Sequence, residues 1–116
     1  MNTIQISSQK RGEFNRAFQD LKSVPDQAVQ ELHRLKRQNP EWLEPLLALT
    51  EHALSPTSNI SDYDCKQLIA DLQSHAERQD PRSLILLARS HINSNDLQSA
   101  ILLLQEVLIK QPELDL

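Results

Sequence analysis

A chain of 116 residues with 39% hydrophobic content can enclose one modest core and hardly two. A single Gly and 3% aromatic residues count against a sheet protein, since hairpin turns draw on Gly and Asn and strands on aromatic and β-branched side chains; an all-helical fold is predicted. The formal charge of -4 speaks against a dedicated nucleic-acid binder, which needs a basic face for phosphates, and it is unevenly spread: seven basic and four acidic side chains stand up to Pro40, five and twelve beyond it.

Met1 to Ser8 is polar and without a helical period, so residues 1–8 are expected to form a flexible N-terminus. Phe14, Ala17, Phe18 and Leu21 then lie at i, i+3, i+4 and i+7 and mark one stripe of a first helix. It should end before Ser23-Val24-Pro25-Asp26, where Ser23 or Asp26 can cap the next helix. That second helix carries Ala28, Val29, Leu32 and Leu35 inward and must stop at Asn39-Pro40, because the proline ring forbids continued helical bonding. Arg34, Lys36 and Arg37 form the one basic cluster. Cations in a last turn complement the negative end of the macrodipole, which explains them without a ligand; an acidic partner is the other reading.

Trp42, Leu46, Leu49 and Ala53 or Leu54 predict a third helix, in which Pro45 either introduces a kink or marks the true first turn. Ser55 to Ser61 is a loop of Ser, Pro, Thr and Asn and the segment expected to be most flexible. Ser61 followed by Asp64 approaches a capping box for a fourth helix, with Leu68, Leu72 and Ala76 on its inner face. Asp80-Pro81 stops that helix and starts a fifth, Asp as N-cap and Pro at the first helical position. Leu84, Leu87, Ala88 and His91 define its stripe, and Leu97, Ala100, Leu104 and Val107 that of a sixth helix ending before Pro112.

The intervals Ala28-Leu32-Leu35-Pro40 and Ala100-Leu104-Val107-Pro112 are identical, as a repeated helical hairpin requires. Residues 81–114 resemble the tetratricopeptide repeat in spacing throughout, with His91 at the family's aromatic position, Asn95 at its turn Gly and Leu84 at its first large aromatic. Trp42, Leu46 and Leu49 resemble the first helix of another repeat, with Pro45 where a Leu is expected. The resemblance implies a right-handed superhelix of about three antiparallel hairpins, near 9–40, 41–80 and 81–114, that holds a partner's peptide or helix in a concave groove. Carried over position by position, the groove would be lined by Asn15, Gln19 and Lys22, by Leu43, Leu47, Thr50 and Glu51, and by Arg82, Ile85, Arg89 and Asn93. Arg82 and Arg89 lie two turns apart on one helix face, where guanidinium forks could hold carboxylates of a bound segment. Ile85 and Leu86 fall off the inner stripe: either a partner covers one of them or the fifth helix is buried all round.

The final helix is apolar on more than one side, through Ile101, Leu102, Leu103, Leu104, Val107, Leu108 and Ile109. A terminal helix of such an array should be polar outside, so Leu102 and Ile109 join the candidate binding residues. A partner, self-association as a homo-oligomer or further chain of a longer protein could cover this end. The lone Cys65 cannot form an internal disulfide and the N-terminus does not resemble a signal peptide, which points to the cytoplasm. No apolar run approaches the roughly 20 residues of a membrane span, so no membrane insertion is expected.

Chemistry is sparse. Gly12 alone cannot make a phosphate-cradling loop, and His33, His52, His75 and His91 fall on four predicted helices at no ligand spacing, so no metal, cofactor or nucleic-acid partner is expected. No acid, base and nucleophile converge, which points away from an enzyme. The expected function is a non-catalytic protein-protein interaction module, an adaptor or small chaperone similar to the compact repeat chaperones of bacterial secretion systems. The alternative is an N-terminal repeat region of a longer protein with a transferase or hydroxylase domain elsewhere.

Overall fold

The computed structural model describes residues 6–110, which form six α-helices and no strand. They are α1 (Ser8–Asp20), α2 (Pro25–Gln38), α3 (Leu43–Ala53), α4 (Asp62–Ser74), α5 (Pro81–Asn93) and α6 (Leu97–Lys110). Each packs on its neighbour in the chain, and α3 packs on α5 as well. Residues 1–5 of the expected flexible N-terminus and Pro112 lie outside the described residues.

Most helix ends follow local chemistry. Ser7 starts α1 by accepting the Lys10 amide on its hydroxyl at 3.2 Å, so the helix begins at Ser8. Ser61 accepts the Asp64 amide at 3.1 Å and Asp80 the Arg82 amide at 2.9 Å, as their sequences predict. Two starts differ. Neither Ser23 nor Asp26 caps α2: Val24 takes the N-cap position without a side-chain bond, because Pro25 at the first position needs no amide partner. Pro45 likewise sits in the first turn of α3, where its missing N–H is one that the turn leaves unbonded anyway. The α5–α6 turn holds Asn95 at φ 62°, in the left-handed region that Asn tolerates better than other residues with a Cβ.

α3 lies at the centre. Leu43, Leu46, Leu47, Ala48 and Leu49 are all buried, in one cluster with Ala17 of α1, Leu32 of α2, Leu68 and Leu72 of α4, and Leu86 and Leu87 of α5. Buried Thr50 is satisfied by donating to the Leu46 carbonyl at 2.7 Å. Burying one Leu of this kind is worth about 2 kcal/mol, so the cluster outweighs the marginal propensity of such short helices. α4 ends at Ser74, which leaves Ala76 exposed in a turn and not on an inner face.

Two latches join the connections. His75, beyond the end of α4, accepts the Glu77 amide on Nδ1 at 3.0 Å and donates from Nε2 to the Pro40 carbonyl at 3.2 Å, tying the α4–α5 turn to the α2–α3 turn. On the other side, Asn59 accepts from His52 Nε2 at 2.6 Å and donates to Asp26 at 2.7 Å. The Ser55–Ser61 loop, expected to be the most flexible segment, is therefore tethered to α2 and α3.

Candidate binding groove

The groove is built from α1, α3 and α5. A cavity of about 400 Å³ is lined by Phe14, Asn15 and Phe18 of α1, by Glu44, Leu47, Ala48 and Glu51 of α3, and by Arg82, Ile85, Leu86 and Arg89 of α5. It continues past Phe18, Ala48 and Glu51 into a second of about 860 Å³, bordered by Gln19, Lys22, His52 and Thr57. Of the residues expected to line a groove, Asn15, Leu47, Glu51, Arg82, Ile85 and Arg89 meet in the first cavity, and Gln19 and Lys22 in the second.

Others fall elsewhere. Leu43 is 2% exposed and Thr50 wholly buried, so neither faces outward: α2, α4 and α5 surround α3 and leave only its Glu44–Leu47–Glu51 side open. Asn93 borders a separate pocket beside Cys65 and Gln73. Leu102 and Ile109 are exposed on α6, away from the groove. Leu86 is buried by the chain itself and Ile85 is half-buried, so α5 is neither exposed along Ile85-Leu86 nor buried all round.

Phe18 is the residue that the inner-stripe reading misses. It is 49% exposed and stacks on Phe14 with ring centroids 5.9 Å apart, while Phe14 meets Trp42 at 5.4 Å. Ala17 alone is buried on α1, and the two rings, one turn apart, lie along the edge where α1 faces α3. The signal for this was the i, i+4 aromatic pair beside a small residue that makes the close approach.

Electrostatics separate the two arginines. Arg82 donates to Glu44 at 2.7 Å and to Asp80 at 3.1 Å, so its fork is filled by the chain's own carboxylates and is not free for a bound segment. The Arg82 hydrogen bonds hold the Asp80 carboxyl below its ordinary value, against a smaller opposing effect of burial, and Asp80 in turn raises that of Arg82. Arg89 makes no ion pair with any described residue. The basic cluster of α2 is also engaged: Arg34 binds Glu31 and Glu13, and Lys36 reaches Asp71 of α4 at 2.8 Å. Lys36 and Arg37 stand in the last turn of α2, as expected, whereas Arg34 lies before it and is held by its ion pairs.

Among the described residues, no group of acidic, His and Cys side chains could hold a metal, and no helix is long and apolar enough to cross a membrane. Burial, and to a lesser degree Asp62, pushes the Cys65 thiol up, the direction of an unreactive cysteine. Comparison with protein-family models, with curated proteins and with solved structures gave no match.

Proposed function

We propose that this chain is a non-catalytic interaction module of tetratricopeptide-like hairpins, whose groove across α1, α3 and α5 holds a segment of another protein. One observation carries the reading: Phe18 and Ile85 present apolar surface in the same cavity as Arg89, a cation with no ion pair among the described residues. An apolar floor beside an unpaired guanidinium suits a short helix or extended peptide that places one bulky apolar residue next to a carboxylate. The packing order supports it too, since the α3–α5 contact brings first helices of successive hairpins side by side. Asn95 in the left-handed region takes the backbone role of the family's turn glycine. The lone half-buried Cys65 suits a reducing compartment such as the cytoplasm.

Panning a random peptide library on the protein tests this. Enriched sequences should pair an acidic residue with a bulky apolar one, and Arg89→Glu or Phe18→Ala should weaken the selected peptide about tenfold or more, the worth of one charge-assisted bond or one aromatic contact. Selected peptides that bind both variants as tightly as the parent would overturn the groove assignment.

A further inference from the structure

The side of the groove between α3 and α5 carries two pairs of opposite charges, one closed and one open. Glu44 and Arg82 form the closed pair, in contact at 2.7 Å. Glu51 stands seven residues beyond Glu44 and Arg89 seven beyond Arg82, two helical turns in each case and about 10 Å further along each helix. The equal intervals make Glu51 and Arg89 the next pair of the same ladder, and both do line the same cavity of about 400 Å³. Neither forms an ion pair with the other or with any further described residue. Lys22 borders the second cavity, which Glu51 also lines, and makes no ion pair with it either. Leu47 and Ile85, one turn beyond the closed pair on their helices, give the same cavity its apolar surface.

We propose that the open pair is completed by the bound segment, which presents an acidic and a basic residue beside its bulky apolar one: the carboxylate on Arg89, the cation on Glu51. The inference rests on the groove reading above and adds a second charge to it. Its ground is charge complementarity. A carboxylate brought to Arg89 enters a cavity that already holds the Glu51 carboxylate, so a purely acidic segment gains one ion pair and meets like-charge repulsion. A purely basic segment meets the reverse, attraction at Glu51 and repulsion at Arg89. Only a segment of both signs satisfies the two groups at once, reproducing two turns on what Glu44 and Arg82 do for each other. Because Glu44 and Arg82 already neutralise one another, the cavity selects on the arrangement of two charges and not on a net charge.

The test is selection from a random peptide library on the full chain, on Glu51→Gln, and on the chain carrying Glu51→Arg with Arg89→Glu. The parent is expected to enrich peptides that hold both an acidic and a basic residue. The strongest of them should bind Glu51→Gln about threefold more weakly, the worth of one exposed ion pair, with helical circular dichroism unchanged. The doubly substituted chain should select peptides in which the two charges have exchanged places about the apolar residue. Enrichment of acidic and apolar residues without a basic one would overturn this inference and leave the groove standing. So would a parent-selected peptide that binds Glu51→Gln as tightly or more tightly, the latter meaning that Glu51 competes with the ligand for Arg89. Selected peptides indifferent to Phe18→Ala and to Arg89→Glu would overturn the groove reading, and this inference with it.

Discussion

The two end helices of this chain solve the same problem in opposite ways. α1 buries only Ala17, keeps its two phenylalanines at the groove edge, and turns Arg11, Asn15, Arg16 and Gln19 to water. α6 buries Ala100 and Val107 and turns leucine and isoleucine outward. A helix face that nothing covers is ordinarily polar, and of these two helices α1 has the more polar exposed face among the described residues. The difference teaches that the asymmetry lies in the exposed positions, not in the helix-forming ones. Both helices are of similar length, and both begin at an oxygen-bearing side chain, Ser7 for α1 and Asp96, which accepts the Ser99 amide, for α6.

Substitutions at the two ends should break this comparison in graded steps. The largest effect is expected at Val107, which is 0% exposed and anchors α6: Val107→Ala should lower unfolding stability by about 2 kcal/mol through lost burial and a residual cavity, measured by urea denaturation. An equal loss from Phe18→Ala, whose ring is half in water, would show that α1 is anchored by more than Ala17. Next comes the turn that leads into α6. Asn95→Ala places a Cβ without a compensating side-chain amide at φ 62° and should cost about 1 kcal/mol, whereas Asn95→Gly should be tolerated; equal behaviour of the two would mean that the left-handed turn does not set the approach of α6.

The smallest effect is read with pH, on the cation-rich side of the molecule. Burial, with Lys36 and Arg37 adding to it and Asp64 and Asp71 opposing, holds His33 below its ordinary value of 6.5. A base depressed in the folded state gains its proton first in the unfolded chain. Stability is therefore unaffected by this group above pH 6.5 and declines as pH falls below it, until the folded imidazole is protonated as well. His33→Gln should flatten this part of the urea midpoint profile; an unchanged slope would assign the acid sensitivity to carboxylates such as Asp80, whose contribution is lost only at lower pH.

Helix existence was legible from short-range chemistry. Asp80-Pro81, Ser61 and Asn39-Pro40 set boundaries through bonds that span at most a few residues, and the stripes of α2 and α5 named most of their buried side chains. Eight of the expected groove positions also converge, because residues on one face of a helix stay together wherever the helix is placed. The exceptions are instructive. Leu43 and Thr50 are hidden because α3 has three neighbouring helices, and a stripe on one helix does not count its neighbours. Leu97 falls on the expected inner stripe of α6 and is nevertheless 58% exposed, since nothing among the described residues packs on that side of the helix.

The order of local preferences along the chain, proline stops, capping oxygens and apolar periods, determined by itself that the protein is helical and where each helix begins and ends to within a few residues. That the Arg82 guanidinium is occupied by Glu44 was decided only by tertiary structure: Glu44 stands 38 positions before Arg82, and their 2.7 Å contact exists because α3 and α5 lie side by side. The exposure of Phe18 and the bare outer face of α6 were decided in the same way. Periodicity records which residues share a face, whereas burial depends on what the rest of the chain brings against that face.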